Sequence, residues 1–371
     1  MSDRIPVTLL TGFLGAGKTT LLNHLLHDST GGRIAVIVNE FGEAGLDHDL
    51  IEASAEDVIL MASGCICCSI RSDLSRTLTS LQGRRARGEL AFDRVVIETT
   101  GLADPGPIHH TLLLDRPVAD AFRLDGIVTA VDAVLGAGTL DRHAEAQAQV
   151  AMADRIVLTK CDLATPARIA DLERRLNPLN PHARRIRADR GRVPQGVLFG
   201  LTTGRDSGDT SAALAWMGLS QPDLTPDPLA GLSGFVQPAV LPVFPPAAPS
   251  HHARDSRVAT ASITIDTPIP PGVFDFWLDM IMGLQGDAIL RLKAIVHLDG
   301  AIQPFVLHGV QHILEPPVPL ENWSGDDRTS RVVLIARDMP VDELEASLDL
   351  LRMRAGVVAG QAISMHSLDD L

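Results

Sequence analysis

A parallel α/β sheet flanked by helices, followed by a smaller α+β domain, is the fold class this sequence predicts, and three observations carry the prediction. The first half alternates short Val/Ile/Leu-rich runs with stretches of helical periodicity, the pattern of βαβ units. Between the first such run and the first helical stretch lies a full G-x-x-x-x-G-K-[ST] signature, within GFLGAGKTT at 12–20. Beyond a proline-rich interruption the pattern turns to alternating strands and two amphipathic helices. At 371 residues the chain is long for one domain, so two are expected.

The elements follow in order. Strands are expected at 6–11, 34–38, 94–98, 125–131 and 155–159, each short, apolar and followed by a polar or glycine-bearing loop. Open α/β sheets place their functional groups in such loops. These strands and their helices form the first domain, residues 1–204, a P-loop NTPase sheet. From 205 to 257 Pro, Ala, Gly and Ser accumulate, and the stretch reads as a linker in which regular structure is doubtful. In the second domain, 258–371, Val258–Ile265 alternates as a half-buried strand. Phe274, Trp277, Leu278 and Ile281 recur at helical spacing. Strands are expected at 290–298, 304–309 and 331–337, and Val341, Leu344, Leu348 and Leu351 share one face of a closing helix.

Composition excludes several classes. A formal charge of −14 argues against nucleic acid or an anionic membrane as the main partner. No apolar run is long enough to span a bilayer, and the N-terminus MSDRIPVTLL lacks the basic region and apolar core of a signal peptide. The expected location is cytoplasmic, where thiols stay reduced and clustered cysteines serve metal or redox chemistry more often than bridges.

The nucleotide site is the most specific feature. Backbone N–H groups of Gly12, Gly15, Ala16 and Gly17 can turn toward phosphate oxygens. Lys18 supplies a cation to the β/γ-phosphates, and Thr19, followed by Thr20, offers a hydroxyl to Mg²⁺. The strand ending at Glu98 places a carboxylate where P-loop enzymes order Mg²⁺ or its water, and Gly101 can offer its N–H to the γ-phosphate. Lys18, Thr19 and Glu98 are therefore the expected catalytic residues. The strand at 155–159 ends in Thr159-Lys160-Cys161-Asp162. Asp162 can accept both guanine N1–H and N2–H₂, which adenine cannot satisfy, and the Lys160 stem can cover the base, so GTP and GDP are favoured over ATP. No glutamine or arginine occupies an obvious water-activating position.

Three of the four cysteines, Cys65, Cys67 and Cys68, fall within four residues. They can supply up to three thiolates, with a carboxylate, a histidine or water as fourth ligand, a set that suits Zn²⁺ with Co²⁺ as a substitute. A redox pair and small buried cysteines are the competing readings.

In order and spacing, GFLGAGKTT, NEFGEAGLD (39–47), GCICCSI (64–70), ETTGLADP (98–105) and TKCD (159–162) resemble the CobW family of P-loop GTPases, and 291–313 is similar to that family's carboxyl-terminal domain. The resemblance implies a Mg²⁺-dependent GTPase acting as a metallochaperone, with a client metalloprotein as partner. It also makes Glu40 a Mg²⁺ or transferred-metal contact beside the three cysteines. Two departures stand out: only His251-His252 remains where many members carry a histidine-rich stretch, and the acidic N-terminal extension of some zinc-chaperone members is missing. Two other readings stay open at this point. One is a regulatory GTPase with a structural zinc and a protein-binding second domain; the other is an ATP-dependent kinase or ligase acting on a small metabolite.

Overall fold

The computed structural model describes residues 4–27, 33–38, 58–62, 70–202, 208–218, 257–286, 288–320, 323 and 328–353. Seven strands, β1 (Ile5–Gly12), β2 (Ile34–Val38), β3 (Val58–Ala62), β4 (Arg94–Glu98), β5 (Phe122–Asp132), β6 (Arg155–Thr159) and β7 (Arg184–Arg187), form one sheet in the order β3-β2-β4-β1-β5-β6-β7. Every pairing in it is parallel. The central strands are apolar almost without interruption because helices cover both faces. On β1, Val7 and Leu9 face one core with Leu78 and Leu81 of α2 (Ile70–Ala86). Leu10 faces the other, with Leu21, Leu22 and Leu25 of α1 (Lys18–His27). The period of two thus divides one run between two cores.

The remaining helices of this half are α3 (Gly106–Leu114), α4 (Arg116–Ala121), α5 (Gly136–Arg142), α6 (Ala144–Met152) and α7 (Pro166–Leu179). In α7 the Thr165 side chain caps the Arg168 N–H, Pro166 occupies the first turn, and Ile169, Leu172, Leu176 and Leu179 are buried.

The second sheet is antiparallel. Its strands are β8 (Val258–Ile265), β9 (Ile289–Val296), β10 (Phe305–Val310), β11 (Ile313–Leu314), β12 (Val318–Pro319) and β13 (Ser330–Arg337), in the order β11-β10-β9-β13-β8, with β12 beside β10. The interval expected to be linker contains a helix, α8 (Thr210–Trp216), whose first turn is capped by the Asp209 carboxylate accepting from Ala212 N at 2.8 Å. Two further helices complete the domain, α9 (Pro271–Gln285) and α10 (Val341–Asp349). One face of the sheet packs on α9 and α10 through Trp277, Ile281, Leu344 and Leu348. The other meets α8 through Trp216, Met217, Ile295 and Val333, and Leu290 and Ile335 join the core of the first domain.

The two domains are also tied by charge. Arg291 of β9 reaches the Met152 carbonyl and the Asp154 carboxylate, and Lys293 lies 3.6 Å from the same carboxylate. Burial alone would raise the Asp154 carboxyl, but Arg291 and then Lys293 outweigh it and hold the group at about 2.

Candidate functional site

The P-loop closes tightly on the sheet. Gly12 has φ +140°, and a Cβ there would overlap the Ala130 carbonyl oxygen of β5, so only glycine fits. Gly17 at φ +85° turns the chain into α1, whose first residue is Lys18. The Lys18 ammonium donates to the Gly12 carbonyl at 3.0 Å, next to the row of backbone amides. Thr19 donates its hydroxyl proton to Glu98 Oε1 at 2.9 Å, joining the loop to the end of β4. A hydroxyl and a carboxylate converging in this way are hard oxygen donors suited to Mg²⁺.

The segment after Glu98 rests on the P-loop. Thr99 N donates to the Leu10 carbonyl at 2.9 Å, and the Thr99 and Thr11 hydroxyls are 2.9 Å apart. At Gly101 a side chain would run into the Leu14 backbone, so this loop and the P-loop touch. From α6 the buried Gln149 donates to the Gly101 carbonyl at 3.1 Å and the Ala103 carbonyl at 3.0 Å. Gln149 was not legible in the sequence: it lies mid-helix in an Ala/Gln stretch and 48 residues from Gly101.

The third part is the Thr159–Asp162 turn. The Thr159 hydroxyl donates to the Ala16 carbonyl at 2.6 Å. Lys160 adopts a left-handed backbone (φ +54°) and donates to Gly15 O at 2.7 Å and Asp132 Oδ2 at 2.8 Å. Asp132 Oδ1 in turn accepts from the Val134 and Leu135 amides, which orients it. Neither Asp132 nor its pairing with Lys160 was singled out by the sequence pattern. Asp162 sits exposed in a short 3₁₀ turn beyond Lys160. Cys161 is held by Leu158 O, and burial pushes its thiol up, as befits a packing residue. A cavity of about 280 Å³ flanks this arrangement, lined by Phe13, Asp132, Leu135, Gln149 and Lys160 among others.

The segment leaving Glu98 is also fastened to the second domain. Asp104 accepts from Gly106 N at 2.8 Å and from Gln311 Nε2 at 2.8 Å. Glu315 Oε1 stands 3.2 Å from His109 Nε2 and 2.9 Å from His308 Nδ1, so one carboxylate bridges two buried imidazoles from the two domains. The adjacent His110 and His312 rings lie 6.1 Å apart. His297 is engaged by Arg328 and the Ala301 carbonyl.

Cys65, Cys67, Cys68, Glu40, Glu43 and Asp47 lie outside the described residues. Among the described residues no group of three or more His, Cys, Asp or Glu is placed to hold a metal ion, and no helix is long and apolar enough to cross a membrane.

Comparison with known proteins places this geometry. The family "CobW/HypB/UreG, nucleotide-binding domain" matches residues 6–187, and "Cobalamin synthesis protein cobW C-terminal domain" matches 258–352. The chain is 32% identical to the zinc chaperone YjiA of Escherichia coli over 348 residues, 94% of this chain and 99% of that protein. It is 36% identical to the zinc chaperone CobW of Pseudomonas aeruginosa, spanning 60% of its length, and 35% identical to the zinc-regulated GTPase metalloprotein activator 1 of Schizosaccharomyces pombe, spanning 47%. The crystal structure of Zn(II)-bound YjiA GTPase from E. coli superposes with a TM-score of 0.69 at 28% identity, covering 95% of this chain and 100% of that one. In sequence, in both of its domains and in the layout of its phosphate-binding site, the chain belongs to the CobW family of P-loop GTPases.

Proposed function

We propose that the protein is a GTP-hydrolysing metallochaperone that binds Zn²⁺, with Co²⁺ as an alternative, through Cys65, Cys67 and Cys68 and passes it to a client metalloprotein. Glu40 is the candidate contact to Mg²⁺ or to the transferred metal. One observation carries the reading. Val38 of β2 pairs in register with both Glu98 of β4 and Ala62 of β3. The strands that precede Glu40, the cysteine segment and the ETTG loop therefore end at one level of one sheet edge. Open α/β sheets carry their functional loops at such strand ends.

The chain's own groups divide the work. The amides of Gly12, Gly15, Ala16 and Gly17, with Lys18 and Thr20, cradle the phosphates. Thr159 and Lys160 brace the loop, and Asp162 reads the guanine edge. Mg²⁺, held by Thr19 and ordered by Glu98, would offset charge on the β- and γ-phosphate oxygens. Gly101 senses the γ-phosphate, with Gln149 fixing the loop from behind. Contacts present only in the GTP state order the loops at 39–49 and 98–104, which is the differential interaction a switch requires. Loss of those contacts on hydrolysis loosens the thiolate site, and the metal leaves as cargo.

The test is a competitive Zn²⁺ titration against a chromophoric chelator, with a non-hydrolysable GTP analogue and again with GDP. Tighter binding in the GTP state by roughly 5- to 150-fold is expected, and Zn²⁺ must tighten GTP binding by the same factor. Cys67→Ala should remove most of the difference and leave nucleotide binding in metal-free buffer intact. Equal affinities in the two states would leave zinc as a structural staple and end the delivery mechanism.

A further inference from the structure

At the edge of the first sheet opposite the P-loop, where its strands begin, a cavity of about 350 Å³ lies between β6, β7, α8 and the second sheet. Arg155, Arg184, His182, Lys293, Asp154 and Trp216 are among the residues that line it. Arg155 and Arg184 open their strands and are direct register partners. Neighbouring strands stand about 4.8 Å apart, so two guanidinium groups leave the sheet side by side with like charge.

Among the described residues, Asp154 offsets only part of that charge. Burial first, and then Arg184, push the Arg155 pKa down, and the Arg155 Nε is buried with no hydrogen-bond partner. Among the described residues the Arg184 side chain makes neither a hydrogen bond nor an ion pair. The one carboxylate in the lining, Asp154, is committed: Oδ1 to Arg291 and Lys293, and Oδ2 to the Ile127 amide at 3.0 Å. Lys293 donates to the Trp216 carbonyl at 3.1 Å and lies 4.5 Å over the indole ring, which fixes its charge at the back of the cavity. His182, with its pKa lowered to about 4 by burial and then by Lys293, is neutral at pH 7 and adds a polar ring without charge. In a chain of net charge −14 this is a local cationic excess enclosed on several sides.

Two adjacent guanidinium forks at a polar cavity match the oxygen geometry of an oxyanion, and an unpaired buried N–H is costly until it is met. We propose that this cavity binds a phosphate-class dianion, free or as the monoester of a small molecule, between Arg155 and Arg184 with Lys293 behind it. A dianion balances the excess better than one carboxylate does. Because Lys293 belongs to the second sheet, the ligand joins the domains from the side opposite the nucleotide.

The experiment uses the full chain saturated with GDP and Mg²⁺, so that the P-loop is already filled. Inorganic phosphate and glycerol 2-phosphate are titrated separately at constant ionic strength, followed by calorimetry and by the unfolding temperature. A saturable response to either probe is expected, weakened at least tenfold in Arg184→Ala, whose side chain is exposed and remote from the nucleotide. GTP hydrolysis by that variant is expected to match the wild type. The pKa of His182, read by NMR, should rise when the anion is bound. If the ester binds more tightly, the natural ligand is a phosphorylated small molecule; if phosphate alone binds, it is the free ion. No saturable response in the wild type, or an equal one in Arg184→Ala, overturns the proposal whether or not the protein carries zinc.

Discussion

The hydroxyl of Thr19 and the carboxylate of Glu98, 79 residues apart in the chain, meet at 2.9 Å across the gap between the P-loop and β4. Replacing Glu98 by Gln keeps the shape and removes the charge. The expected result is a fall in kcat of about 10²-fold or more, the scale of a lost electrostatic contact to a transition state. GDP affinity in chelator should hardly change. Undiminished turnover in a Mg²⁺-dependent phosphate-release assay would remove Glu98 from the mechanism.

Asp162 stands free in solvent one turn beyond the anchored Lys160. Asp162→Asn replaces one acceptor by a donor, so it should weaken GTP by roughly 1–3 kcal/mol, the range for an unmet polar group. The same change suits a base that carries a carbonyl in place of the exocyclic amine, so xanthosine triphosphate should gain affinity. Competition binding with GTP, ATP and xanthosine triphosphate decides the matter. Equal competition by ATP and GTP in the wild type would refute guanine reading.

Gln149 supplies both hydrogen bonds that its amide can donate to the 101–103 loop. Gln149→Leu preserves volume and frees the loop. GTP should lose its advantage over GDP by about tenfold, since roughly 1.4 kcal/mol is the worth of one or two such bonds, while GDP affinity stays near the wild-type value. A parallel loss for both nucleotides would point to general destabilisation of α6.

Stability should respond to pH in two separate windows. His182 is held near 4 in the folded chain, below its ordinary 6.5, by burial and by Lys293. The unfolded chain takes up this proton first, so stability is intact above 6.5 and declines as pH falls toward 4, by about 3 kcal/mol at most. Asp154, held near 2 against an ordinary 3.8, contributes stability above 3.8 that is lost as pH falls toward 2. Urea unfolding of the wild type and of His182→Gln between pH 7 and 4 checks the first window. The variant should show the flatter profile, and parallel profiles would rule His182 out.

Much of this molecule was legible because its signals are local. The phosphate loop is fixed by spacing alone, and the apolar runs at β1, β2, β4, β5 and β6 announce buried parallel strands. β7 escaped notice because Arg184–Arg187 is an edge strand with three arginines in four residues, which hides any apolar period. β3, the run VILMA, is as short and apolar as a helix turn would be. Helix α8 was hidden by small residues that read as linker; its order comes from packing Trp216 against the second sheet. Pairings such as Lys160 with Asp132 and His109 with Glu315 depend on where distant segments meet, which no periodicity encodes. Glu40 and the three cysteines were named from spacing and resemblance, and they lie outside the described residues.

The Glu315 carboxylate has one ligand in each domain, His109 and His308, and Asp154 likewise depends on Arg291 across the same junction. Each half carries buried groups with a hydrogen-bonding partner in the other. The carboxyl-terminal domain is therefore a poor candidate for free exchange between relatives. A chimera that sets Arg291 against a domain lacking Asp154, or His109 against one lacking Glu315, would deprive a buried guanidinium or a buried imidazole of its carboxylate. Swapping the partners as sets keeps the junction whole, so the two halves are constrained to change together.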